Sequence, residues 1–141
     1  MNKESRLSIF LSRSWSRDSA VLLLRVWLGA MMIYHGYGKV FERIDGFTEG
    51  VAKMGFPMPE FFAWAGALSE FGGGILLILG LFSRPAALFV SSTMFVAAFV
   101  RHLDDPFGKK ELALTYLVMA IALAITGPGK YSLDRKLFGG K

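Results

Sequence analysis

The sequence predicts an all-α fold: an integral membrane, up-down four-helix bundle with a short interfacial helix in its first loop. Three observations predict it. The 141 residues are 53% hydrophobic and only 19% charged, against about 25% charged in a typical soluble domain. Charges are nearly absent from four stretches and gather between them, as in a multi-span membrane chain. The links between the later stretches are short, so successive spans are antiparallel neighbours.

Composition also excludes chemistry. The chain has no cysteine, which removes thiol–disulfide exchange, thiolate metal sites and iron–sulfur clusters. Its net charge of +5 comes from basic residues at termini and loops of an apolar chain. A lipid membrane surface accounts for them better than nucleic acid, for which no basic-aromatic module is visible.

Residues 1–19 carry Lys3, Arg6, Arg13 and Arg17, with Leu7, Phe10, Leu11 and Trp15 at helical spacing. This basic N-terminal segment reads equally as an interfacial amphipathic helix or as a disordered tail. It does not read as a signal peptide, because no small-residue cleavage site follows the apolar run and Arg25 interrupts it. The four-span domain occupies 20–128, with spans at about 20–39, 59–82, 85–102 and 111–127. Pro59 suits a first helical turn, and the 22 residues of Phe61–Phe82 make about 33 Å of helix, enough to cross a bilayer. Ser83 is the expected N-cap of the third span and Pro85 its N1 residue. The fourth stops at the Gly-Pro-Gly of 127–129. The third and fourth spans have uncharged cores of 16 and 15 residues, so Arg84, Arg101 and Lys130 are expected to snorkel. In the loop 41–58, Ile44, Phe47, Val51 and Met54 share one face, which predicts the interfacial helix. Residues 129–141 form a basic tail. Lys and Arg number 9 on the side of both termini and 6 on the other, which places the termini in the cytoplasm.

Glu70 is the residue that most needs explaining. It lies near the middle of the second span, where a charge costs about 2.5–3.5 kcal/mol on insertion scales. Such a group persists only if it is paired, protonated or faces a wet cavity. Gly66, Gly73 and Gly74 lie within a turn of it, so a helix or a ligand can approach closely on that face. On the first span Arg25, Gly29, Met32, Gly36 and Lys39 share a stripe bordered by His35. The depths predict an Arg25–Glu70 ion pair with His35 above it. His35, Lys39, His102 and Glu111 are expected at the outer rim, a polar cluster leading down to Glu70. The same groups also admit plainer readings: an ion pair that sets helix register, and ordinary interfacial residues at helix ends. Ser91, Ser92 and Thr93 read as packing groups, and Asp104 and Asp105 as the start of a turn before Pro106. No metal site is expected. Two histidines on different helices are too thin a signal for a haem.

The chain resembles the DoxX family of small bacterial membrane proteins. The resemblance is carried by "RVWLGAMMIYHGYGK" with Arg25, His35, Gly36 and Lys39, and by "SEFGGGILLILGLFSRPAA" with Glu70, Gly73, Gly74, Gly80 and Arg84. His102, Glu111 and "GPGKYSLD" continue it. It covers about residues 20–135 and implies a four-span protein of the bacterial cytoplasmic membrane. The related DoxD subunit belongs to a thiosulfate:quinone oxidoreductase, some relatives sit in membrane oxidoreductase assemblies, and others in the wider group look like assembly chaperones. The resemblance assigns no role to individual residues.

Two functions from different classes follow. In the first, the chain is a quinone-interacting or membrane-anchoring subunit of an oxidoreductase complex. Glu70 and His35 would then accept protons, Arg25 and Lys39 would hold the quinone oxygens, and Gly73, Gly74, His102 and Glu111 would complete the ligand site. Redox proteins, soluble or membrane-bound, are its expected partners, and a homo-oligomer is compatible with it. In the second, the chain is a non-catalytic scaffold or assembly factor. A small transporter fits less well, because four spans leave little room for alternating access.

Overall fold

Capping and turn chemistry set the boundaries of each helix. The computed structural model describes residue 8 and residues 16–139, and among these it is all helix with no strand. The basic segment expected over 1–19 falls almost wholly outside the described residues. Helix α1 spans Arg17–Phe41, starting three residues before the expected span because Ser16 caps it by accepting from Ser19 N–H. Its first turn carries Asp18 and its last Lys39, each of the sign that complements the helix dipole. Helix α2, Ile44–Lys53, is the amphipathic segment of the first loop.

Helix α3, Pro59–Leu79, has its proline in the first turn. It ends at Gly80, whose left-handed φ of +67° lets Leu81 N–H reach back to the Leu76 carbonyl at 3.0 Å. A side chain at that φ would be strained. Only residues 80–82 separate α3 from α4, Ser83–Val96, so the two helices run antiparallel. Ser83 proves to be the first helical residue rather than the N-cap. The cap comes from elsewhere: the Asp134 carboxylate accepts from Phe82 N–H at 2.7 Å and Ser83 N–H at 2.8 Å. That bidentate grip holds Phe82 at its unusual φ of +48°.

At its far end α4 loosens into one π turn, Ala97–Arg101, where His102 N–H bonds to the Ala97 carbonyl. Helix α5, Phe107–Thr126, starts four residues earlier than expected because Pro106 supplies its N-cap. Helix α6, Leu133–Phe138, is capped by Ser132, so the segment after 129 is not a free tail. The described helices α1, α3 and α4 with its π turn are each long and apolar enough to cross a membrane. Helix α5 carries Lys109, Lys110 and Glu111 near its start, and its apolar run begins only at Leu112.

Helix α1 packs chiefly on α3, α4 on α5, and α3 on α4, with α1 also touching α5. The shared core includes Leu28, Met32, Leu77, Val90, Ala120 and Leu123. The α1–α3 contact is backbone against backbone. A Cβ on Gly74 would lie 2.6 Å from the Gly29 carbonyl oxygen, and one on Gly36 would lie 2.4 Å from Phe71 N. These contacts fix the antiparallel register of the two helices, and that register determines which polar groups meet.

Candidate functional site

Glu70 is 1% exposed and pairs with Lys39, whose Nζ lies 2.6 and 2.7 Å from its two carboxylate oxygens. The expected partner was Arg25, and the α1–α3 register is the reason it is not. Gly29 faces Gly74 and Gly36 faces Phe71, which brings Arg25 level with Gly80, against which its guanidinium lies. Gly80 is ten residues from Glu70, about 15 Å along the helix, beyond an arginine's reach. Lys39, near the end of α1, reaches Glu70 with its flexible stem, and its ammonium stands 4.8 Å over the Phe47 ring.

The ion pair lies in the wall of a cavity of about 550 Å³ between α3 and α4, roofed by α2. The α2 side offers Phe47 with Gly46 and Gly50, and a Cβ on either glycine would meet nothing within 4 Å. From α3 come Phe62, Gly66 and Ser69, and from α4 Phe89, Ser92 and Thr93. The positions on α3 and α4 recur at three- and four-residue spacing, so each helix gives the cavity one face. Thr93 Oγ1 and the Ser69 hydroxyl lie 3.0 Å apart, within hydrogen-bond distance across the α3–α4 contact. Ser91, Ser92 and Thr93 each also bond to the carbonyl four residues back, the usual way a helix satisfies such groups. Thr93 is thus both a packing group and part of the cavity wall.

Arg101 and His102 line the cavity where the π turn ends α4. A π turn inserts an extra residue into the helical ladder and is frequent at functional sites. His102 Nδ1 lies 2.7 Å from an oxygen of Asp105. Asp105 sits in the turn before α5, and its pKa is lowered from the usual carboxylate value chiefly by the hydrogen bond to His102, with Lys109 adding to it. That bond commits Nδ1 and fixes the ring at the cavity edge. The site therefore offers hydrogen-bond donors (Lys39, the Ser69–Thr93 hydroxyls, His102) and one carboxylate acceptor inside largely apolar walls.

Of the residues predicted for a site, the structure brings Lys39, Glu70 and His102 to one cavity. The others lie elsewhere. His35 stands edge-on to the rings of Tyr34 at 5.5 Å and Tyr116 at 5.9 Å, and it does not line the cavity. Gly74 packs against α1, and Gly73 against Val90 of α4, so these two serve helix contact. Glu111 is exposed on α5. The outer polar cluster is thus smaller than expected.

Arg25 is 1% exposed and donates to the carbonyls of Pro128 and Tyr131. The "GPGKYSLD" segment folds back under the helices: Asp134 caps α4 and donates its N–H to the Gly80 carbonyl at 2.8 Å, while Asp18 accepts from Lys130 N–H at 2.8 Å. Arg25, Gly80 and Asp134 thus form a clamp that closes one end of the protein, and the cavity lies toward the other end. Sequence reasoning missed Phe47, Ser69 and Arg101 as cavity residues. The available signals were Ser69 beside the buried acid and the hydroxyl run of 91–93.

The DoxX family pattern matches residues 20–103, a span that contains every residue lining the cavity. The inner membrane protein YqjF of Escherichia coli is 33% identical over 126 residues, covering 85% of this chain and 93% of that protein. The Bacillus subtilis protein named "Putative oxidoreductase CatD" is 33% identical over 127 residues, covering 89% and 92%. The inner membrane protein YphA of Escherichia coli is 33% identical over 130 residues, covering 86% and 92%. No solved structure matches the chain. With a family match over most of its length, apolar helices long enough to cross a bilayer and relatives aligned nearly end to end, the chain belongs to the DoxX family of membrane proteins.

Proposed function

We propose that this protein is a quinone-interacting membrane subunit of an oxidoreductase assembly in the bacterial inner membrane. The observation that carries the reading is the Lys39–Glu70 pair in the wall of an apolar cavity between α3 and α4. Burying a charge pair is costly, and packing two helices together does not require it to border a cavity. A volume of about 550 Å³ falls in the roughly 300–1,000 Å³ range of small-molecule sites and accommodates a quinone ring. The donors and the acceptor match the two oxidation states of such a head group. A carbonyl oxygen needs donors, and a hydroxyl needs an acceptor.

A bound quinone supplies two-electron, two-proton chemistry, with the electrons exchanged with a redox partner. In this chain Lys39 would hold an oxygen of the ring through a charge-assisted hydrogen bond. Glu70 would accept or return the proton at that oxygen. The Phe47, Phe62 and Phe89 walls would exclude water and offer aromatic faces to a bound ring. His102, held through Nδ1 by Asp105, keeps Nε2 for the outer end of the site. The relative that bears an oxidoreductase name supports the reaction class.

The same reading makes α5 the fourth span, its short apolar run extended by Lys109 and Lys110 snorkelling at one end. Helix α2 then lies in the membrane interface as the roof of the site. Both termini, and the clamp around Arg25, lie on the cytoplasmic side, where the Lys and Arg excess is found. A reporter fused after the last residue is expected to be cytoplasmic, and an extracytoplasmic signal would invert the arrangement.

The functional test is the quinone-reduction rate per assembled complex, with assembly quantified separately. Glu70→Gln keeps shape and hydrogen bonding but removes the proton acceptor, so the rate should fall about 10²–10⁴-fold. Equal rates for wild type and Glu70→Gln would leave the pair as a packing device and favour the scaffold reading.

A further inference from the structure

A second hollow lies on the outer face of α4, about 450 Å³ in volume and lined by Arg84, Pro85, Leu88, Phe89 and Ser92. Phe89 and Ser92 also line the main cavity. The two hollows therefore lie side by side on α4, with Phe89 and Ser92 between them. The second is almost wholly apolar, because the Ser92 hydroxyl is satisfied by the Leu88 carbonyl at 3.0 Å. It lies on the lipid-exposed side, where Leu88 and Phe89 are 58% and 67% exposed. From Ser92 to Arg84 is eight residues, about 12 Å of helix.

We infer that the ligand of the cavity is a long-chain quinone that enters sideways from the bilayer, its head at Lys39–Glu70 and its isoprenoid chain along the α4 groove toward Arg84. This rests on the quinone reading and adds the source, the entry route and a chain subsite. The chain cannot lie inside the protein, because the core side of α4 is filled by Ala86, Ala87, Val90 and Met94. The groove past Phe89 and Ser92 is the apolar continuation of the site, and the membrane already holds molecules of this form.

The test is photolabelling in phosphatidylcholine vesicles with two alkyl quinones. One carries a diazirine next to the ring, the other about 12 Å along the chain. Labelled residues are mapped by mass spectrometry, with and without excess tail-less quinone as competitor. The ring-proximal probe is expected to label α2 and the 62–70 and 92–102 walls, and the distal probe residues 84–89, both displaced by competitor. Leu88→Trp, at an exposed position outside the main cavity, should cut distal labelling about tenfold. Competitor-sensitive labelling of the cavity walls with none at 84–89 would overturn the chain subsite and leave the quinone reading standing. Labelling at 84–89 that competitor does not displace would mark ordinary lipid contact and also overturn it. No displaceable labelling anywhere would overturn both.

Discussion

If Lys39 and Glu70 compensate one another, removing either alone strands a buried group. The two Nζ–oxygen distances of 2.6 and 2.7 Å give a gross attraction of about 6 kcal/mol at an effective dielectric of about 20. Desolvation offsets part of that. Glu70 carries nearly all of it at 1% exposure, while Lys39 keeps 28% of its side chain exposed. Replacing Lys39 by Met should therefore cost about 3 kcal/mol, the lower end of the roughly 3–5 kcal/mol range for broken buried pairs. Replacing Glu70 by Leu as well should recover most of the loss, giving a coupling energy of about 2–3 kcal/mol. The assay is reversible unfolding in mixed micelles, followed by tryptophan fluorescence, for wild type, both single variants and the double variant. A parallel cycle with Arg25→Met and Glu70→Leu should be additive, since about 15 Å of helix separates those side chains. Additivity at Lys39–Glu70, or coupling at Arg25–Glu70, would refute the reasoning from helix register.

Other consequences are open to measurement. Gly74→Val forces branched carbons into the space of the Gly29 carbonyl; overpacking of about 1–3 kcal/mol is expected in the same unfolding assay, whereas Gly46→Ala, facing open space, should be neutral or slightly stabilising. Asp134→Ala strips the cap from two N–H groups of the α3–α4 turn and should cost about 1–2 kcal/mol, read also as faster amide exchange at Phe82 and Ser83. Asp105, its carboxyl held below the usual range by His102, favours the folded turn above the ordinary carboxylate pKa and loses that contribution as pH falls through its depressed value. In His102→Ala the Asp105 titration, followed by carboxyl NMR, should move back up toward the ordinary value.

Much of the fold was legible because bilayer crossing imposes length and apolarity that composition displays directly. The short link read at 83–84, which the structure sets at 80–82, the amphipathic stripe of α2 and the glycine-rich face around Glu70 all led to elements the structure contains. The pairing of charges was not legible. Angular position along one helix says which residues share a face, but the level at which two helices meet is set by contacts such as Gly29 on Gly74. A shift of about ten residues there would bring Arg25, rather than Lys39, level with Glu70. The clamp was hidden for a similar reason. "GPGKYSLD" looks like a basic tail until Asp134 is seen to cap a helix that begins 51 residues earlier. The cavity had the weakest signature, since it is made from glycines and phenylalanines that in sequence look like ordinary packing.

We propose that the cavity beside Lys39–Glu70 holds a quinone head group. The measurement that tests it most directly is equilibrium binding of a tail-less quinone to the purified protein, wild type against Gly50→Phe. Gly50 lines the cavity and has nothing within 4 Å of where a Cβ would sit, so the phenyl ring fills the site while the helix gains propensity. Saturable binding of one quinone per chain is expected for wild type, and at least tenfold weaker binding for Gly50→Phe with unfolding unchanged. Absence of saturable binding by wild type, or equal affinity for both proteins, would contradict the proposal.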